Sequence, residues 1–217
     1  LIRKARKAGD TVFGETCPQY LVLDESRYDD PEEGLKFILS PPLRAKEHQA
    51  AIWEGIKDGT LQVIATDHCS FDYHGDKQNG KDDFTKCPNG APGVETRMPI
   101  VFSEGVSKGR MSLNKFAAVT STNPAKIFGM YPKKGVLAVG SDADIVLMNP
   151  DMEVTITKNI LHENVDYTPY EGIKVKGWPV MTMVRGQVVV ENERLQVPLG
   201  FGRYIYGKPV QYTELLK

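Results

Sequence analysis

The sequence predicts an α/β unit built on a parallel sheet, followed by a small β domain. Helical and strand patterns alternate from the N-terminus onward. Short apolar runs, above all Val63-Ile64-Ala65-Thr66, stop abruptly in polar residues, as strands buried on both faces of a parallel sheet do. After Tyr131 the helical texture gives way to short β segments separated by turns. The predicted division therefore falls between residues 1–131 and 132–217.

Leu1 to Ala8 reads as a helix in progress, closed by Gly9 in the place of a C-cap glycine. The chain opens without Met and without a secretion pattern, and a helix entered midway suggests a piece of a longer protein. Thr11 to Glu15 reads as a strand ending in Glu15-Thr16-Cys17-Pro18, and Tyr20 to Leu23 runs on apolar. Asp24 to Gly34 is a charged surface excursion. The apolar segment Lys36 to Leu39 stops at Ser40-Pro41-Pro42-Leu43-Arg44, where the proline pair forbids a helix. Lys46 to Asp58 carries Ala50, Ile52, Trp53 and Ile56 at helical spacing, and Leu61 to Thr66 is the next strand. Asp72 to Gly93 is a long polar loop, of a length that is usually functional or disordered. Helices are expected at Thr96–Lys108 and Ser112–Thr120, and at a third start where Asn123 would cap and Pro124 would sit first. The β segments are Gly135–Val139, Ala143–Met148, Val154–Thr157, Val180–Val184 and Gln187–Val190.

Composition narrows the function classes. The 217 residues carry a formal net charge of −1 with the two signs interspersed, so no basic stripe points to nucleic acid or to an anionic membrane. No apolar run approaches the roughly 18 residues needed to span a bilayer. Cys17, Cys69 and Cys87 are odd in number and lack CxxC spacing, which fits a reducing, cytoplasmic compartment. All three are expected to be small buried residues.

Asp67 is the residue to watch. It stands at the C-terminal end of a strand, which in parallel α/β folds is where chemistry collects. The alternative is an ordinary cap on the following turn.

A resemblance spans the chain. Gly14-Glu15-Thr16-Cys17-Pro18-Gln19-Tyr20-Leu21, Ser40-Pro41-Pro42-Leu43-Arg44 and Thr66-Asp67-His68-Cys69 resemble stretches of the dihydropyrimidinases and D-hydantoinases of the amidohydrolase superfamily. So do Pro88-Asn89-Gly90-Ala91-Pro92-Gly93-Val94-Glu95, Asn123-Pro124-Ala125-Lys126, Gly140-Ser141-Asp142-Ala143-Asp144-Ile145-Val146 and Asp166-Tyr167-Thr168-Pro169-Tyr170-Glu171-Gly172. They run in family order. The resemblance implies the C-terminal part of a metal-dependent (β/α)8 TIM barrel, joined to part of a small β-sandwich. It implies hydrolytic opening of a cyclic diamide, with two Zn2+ ions in the complete site and a homotetrameric whole. By position, Asp67 resembles the aspartate that binds one metal and handles the proton of the attacking hydroxide. Ser40 and Asn89 resemble positions whose main-chain groups bind the substrate's amide edge.

The family's His-x-His pair, its carboxylated lysine and two further histidines would lie before Leu1, so this stretch alone is expected to be inactive. His68 is expected to pack rather than ligate, and Cys69 to be a packed thiol. His48, His74 and His162 are expected to face solvent, and Glu15 to be a buried hydrogen-bonding residue. Asp142 and Asp144 belong to a turn. The tail from Gly200 to Lys217 could serve subunit contacts. A non-enzymatic scaffold relative of the collapsin-response-mediator type is the alternative; the carboxylate at Asp67 and the intact PNGAPGVE stretch argue against it.

Overall fold

The structure, a computed structural model, describes residues 1–212. Helix α1 (Ile2–Lys7) is followed by Gly9 in a left-handed conformation. Strand β1 (Glu15–Thr16) then pairs in parallel with β2 (Val63–Ile64), Glu15 opposite Val63 and Thr16 opposite Ile64. Both predicted strands shrink to two-residue ladders. Upstream, Gly14 O accepts from Gln62 N and Val63 N at 2.8 and 3.3 Å, while Gly14 N donates to the Gln62 side chain instead of to the neighbouring main chain. Helices α2 (Pro18–Val22) and α3 (His48–Lys57) make the crossover between the strands, with short 3-10 turns at Glu25–Asp29 and Gly34–Phe37.

The long loop after β2 folds into 3-10 turns at Lys77–Gly80 and Phe84–Lys86. Helix α4 (Arg97–Val101) runs into a π-helical turn, Phe102–Ser107. Helix α5 (Leu113–Ala117) starts at Ser112, whose hydroxyl accepts from Lys115 N at 3.2 Å, and passes through a second π turn, Ala118–Thr122, into α6 (Asn123–Ile127). Asn123 does not cap α6. The helical path runs through it, and its Nδ2 donates to Gln62 O at 2.9 Å, tying α6 to the β2 strand.

The remaining strands form one antiparallel sheet in the order β3 (Ile145–Thr155), β4 (Lys174–Val184), β5 (Gln187–Glu191) and β6 (Arg194–Leu195). Two expected segments merge into β3, which is interrupted between Asn149 and Glu153 by a shift in its pairing with β4. Gly135–Val139 is not a strand. Thr122 Oγ1 holds Gly135 O at 2.7 Å against α6, and Leu137 and Val139 point into solvent. Asp142 and Asp144 do sit in a turn, where both pair with Lys134.

One core joins the two parts. Leu23, Phe37, Leu39, Leu43, Ala91 and Ile100 from the α/β part pack with Ile156, Leu161, Tyr170, Val175 and Trp178 from the β part. A second core gathers Leu21, Ile56 and Ile64 against Val101, Phe102, Phe116 and Val119. Strand β4 reaches the helical layer at Gly177, where a Cβ would lie 2.1 Å from the Phe102 ring; only glycine permits that approach. In the C-terminal tail, Lys208 N donates to Gly129 O at 2.8 Å and Tyr212 meets Phe13 edge-on. Residues 213–217, part of the segment expected to serve subunit contacts, lie outside the described residues.

Candidate active site

Parallel pairing puts the C-terminal ends of β1 and β2 on one edge, and Asp67 follows β2 by three residues. Asp67 is exposed and adopts φ +51, a left-handed conformation that costs a non-glycine residue about 1–3 kcal/mol and that Asp tolerates better than most. Such outliers concentrate at functional sites.

Two further segments are laid against this strand end. His68 forms an isolated parallel bridge with Ala91, and Cys69 N donates to Ala91 O at 3.2 Å. Gly90, at φ +148, lies so close that a Cβ there would sit 2.3 Å from Cys69 O. Gly90 N in turn donates to Ile38 O at 3.1 Å, which brings in the segment leading to Ser40. Ser40, Asp67 and Asn89 are thus gathered on one rim, all three exposed. The Ser40–Pro41 peptide is cis, and Pro41 O accepts from Tyr20 Oη at 2.8 Å.

His68 fastens the loop that follows. Its Nδ1 accepts from Gly93 N at 3.1 Å and Val94 N at 3.3 Å, so the neutral ring carries its proton on Nε2. Glu163 Oε1 accepts the next amide, Glu95 N, at 3.0 Å. Three consecutive amides of one loop are therefore held by two side chains.

Behind the rim lies Cys17, buried, its thiol pushed up to about 12 by burial and then by Glu15 and Asp67. Tyr20 is likewise pushed up to about 12, by burial first and then by Cys17 and Asp67. Both stay protonated near neutral pH, so neither supplies a nucleophile. Arg97 Nη1 donates to Ile64 O at 2.9 Å and Thr120 O at 3.3 Å, fixing the end of β2 to the helical layer; burial holds its pKa below the usual guanidinium value. Among the described residues no group of three His, Cys, Asp or Glu side chains is arranged to hold a metal ion. Asp67 offers one carboxylate.

Two expectations near the rim are corrected. Glu15 is exposed, because among the described residues β1 pairs only with β2 and none covers that side chain. Cys69 is exposed as well; the bridge to Ala91 uses its main chain and leaves the thiol at the surface. His48, His74 and His162 are exposed, as expected.

The chain matches the amidohydrolase family over residues 20–189. It belongs to the amidohydrolase family. This amidohydrolase chain is 49% identical over 216 residues to a D-hydantoinase of Geobacillus stearothermophilus, covering 99% of this chain and 45% of that protein. A D-phenylhydantoinase of Escherichia coli is 48% identical over 208 residues, covering 96% and 45% respectively. The structure superposes on the dihydropyrimidinase from Brevibacillus agri with TM-score 0.92 and 50% identity, over 96% of this chain and 46% of the other. With a D-hydantoinase from a Bacillus species the TM-score is 0.94 at 48% identity, over 97% and 46%. The chain therefore spans about half the length of the relatives it matches. Those relatives give the scaffold alternative no support.

Several residues that build the rim carry no local signal. Gln19 Nε2 donates to Thr66 O at 3.3 Å, just before Asp67, and its Oε1 accepts from Tyr170 Oη at 3.3 Å. Both lie inside stretches that carry the family resemblance, yet nothing in either stretch announces a pairing across 151 positions.

Proposed function

We propose that this chain supplies one side of the active site of a cyclic amidohydrolase that opens a five- or six-membered cyclic diamide, a dihydropyrimidine or a hydantoin, to an N-carbamoyl amino acid. The observation that carries the proposal is the convergence of Ser40, Asp67 and Asn89 on one rim through the Cys69–Ala91 and Gly90–Ile38 main-chain bonds. In this reading main-chain groups at Ser40 and Asn89 hydrogen-bond the planar amide edge and fix the ring over the end of β2. Asp67 takes the proton from the attacking water and passes it to the departing ring nitrogen, which lets one carboxylate serve both halves of the reaction.

Cyclic amidohydrolases of this kind are metal-dependent, the expected ions being a zinc pair that would lower the pKa of the attacking water. One carboxylate from this chain does not make such a centre, so the remaining ligands must come from residues outside it. The resemblance further favours a soluble homotetramer acting in the cytoplasm; no helix among the described residues is long and apolar enough to cross a membrane.

The test is to assay this chain alone, and the same chain joined to its upstream sequence, on hydantoin and dihydrouracil, with zinc measured by elemental analysis. The expected result is ring opening and bound zinc only in the joined protein. Hydrolysis with stoichiometric zinc by the 217 residues alone would overturn the divided site. An upstream sequence without a His-x-His pair and a ligand lysine would overturn the chemistry.

A further inference from the structure

Lys77 is fully buried, at 0% exposure, which is rare for a lysine. Burying an ammonium costs far more than burying a neutral polar group unless hydrogen bonds replace the lost water. Here the replacements are two main-chain carbonyls. Nζ donates to Ile38 O and to Pro88 O, each at 2.7 Å. Ile38 stands two residues before Ser40, and Pro88 immediately before Asn89. Ile38 O also receives Gly90 N, so one carbonyl is shared by both cross-links between the two segments. The turn that carries the lysine is seated on the second segment: a Cβ at Gly80 would fall 2.4 Å from Cys87 Cβ. The Phe71 ring lies 6.0 Å from Nζ. Burial holds the lysine's pKa below its ordinary value, opposed by the Cys87 and Cys69 thiols.

We infer that Lys77 is a positioning residue for substrate binding: its ammonium clamps the Ser40 segment to the Asn89 segment and sets the gap into which the ring's amide edge must fit. A neutral amide side chain has two donors in a fixed plane; an ammonium has three in a tetrahedron and can serve carbonyls converging from separate loops. The inference rests on the proposed roles of Ser40 and Asn89, but the clamp itself can be examined without any activity.

The first arm uses this chain. Hydrogen exchange is followed by mass spectrometry for the wild type, Lys77→Met and Lys77→Arg. In Lys77→Met, peptides covering 35–42 and 87–93 should exchange about tenfold faster, together, with the β3–β4 ladder unchanged; Lys77→Arg should recover much of the protection. Unchanged exchange in both segments overturns the clamp. Should Lys77→Met lose protection everywhere, the wild type decides by NMR. Couplings across the hydrogen bonds from Nζ to the Ile38 and Pro88 carbonyl carbons support the clamp, and their absence overturns it. The second arm uses the active holoenzyme. Lys77→Met should raise KM at least tenfold while kcat changes less than threefold and metal content holds. An equal fall in kcat with KM unmoved overturns the positioning role. A wild-type holoenzyme that opens no cyclic diamide refutes the proposed reaction and leaves the exchange result standing on its own.

Discussion

Replacing Gly90 by alanine is the sharpest perturbation of the rim. The new Cβ would lie 2.3 Å from Cys69 O, 2.9 Å from Cys69 Cβ and 3.2 Å from Cys69 C. Two of these neighbours are main chain, so no side chain can swing aside. Either the crowding is absorbed, at about 1–3 kcal/mol for an overpacked contact, or residues 89–91 move off residues 68–69. In the second case the Cys69–Ala91 and Gly90–Ile38 bonds are lost, at about 1 kcal/mol each. The positive φ adds about 1–3 kcal/mol for an L side chain, giving about 2–6 kcal/mol altogether. Gly140 is the control, with φ +90 and nothing within 4 Å of its would-be Cβ, so Gly140→Ala carries the φ cost alone. Urea unfolding followed by the fluorescence of Trp53 and Trp178 measures both, provided the transition is two-state. If the two variants are equally destabilised, residues 89–91 do not lie against residues 68–69, and the rim is not built as described.

Asp67→Asn should lower ring opening by the holoenzyme by about 10²–10⁴-fold, the usual worth of a positioned proton carrier. Because Asn also tolerates a left-handed backbone, the melting temperature should stay nearly unchanged; retained activity would remove Asp67 from the chemistry. With a thiol reagent at pH 8 the folded chain should expose one reactive cysteine, Cys69, while buried Cys17 and Cys87 react only on unfolding; burial raises both thiols, Cys17 to about 12. Prompt labelling of Cys17 would contradict its placement. Glu95 accepts from His162 Nδ1 at 2.8 Å and raises the imidazole above its ordinary 6.5, by hydrogen bond and then by charge. A raised folded-state pKa means that this contribution to stability is complete below 6.5 and fades as pH climbs through the raised value. The ring is exposed and screened, so the contribution is under about 1 kcal/mol. An NMR titration of His162 should show its midpoint falling back in Glu95→Gln, and an unmoved midpoint would disprove the pairing.

What could be read from the chain was whatever a short window encodes. The abrupt stop at Asp67 is local, and so are the helical stripe of Ala50, Ile52, Trp53 and Ile56, the glycine closing α1 and the turn-bounded β segments that become β3 to β5. Gly135–Val139 reads as a β segment but is not one, because a short apolar run becomes a strand only where a neighbour exists to pair with. Here Thr122 draws Gly135 toward α6, and Leu137 and Val139 face water. Asn123 does not act as the cap its sequence suggests, because the π turn before it carries the helix straight through and frees the amide to reach Gln62. Cys69 looked like a packed thiol because its type usually is one, but its main chain makes the contact with Ala91. The supports of the rim left no trace in any window. Lys77 meets Ile38 across 39 positions and Tyr170 meets Gln19 across 151, and a buried lysine reads in sequence like any other residue of a charged loop.

The left-handed backbone at Asp67 has a consequence for which residues can stand there. In the proposed reaction, main-chain geometry and proton chemistry restrict the position independently. Glycine and asparagine accept the torsion but carry no exchangeable carboxyl proton. Glutamate carries one, but on a longer chain with three rotatable bonds and without aspartate's ease in that region of torsion space. Only aspartate meets both demands. Its backbone is thereby placed as the chain folds, and in the proposed reaction two side-chain torsions rather than a flexible loop are left to be ordered when the ring binds.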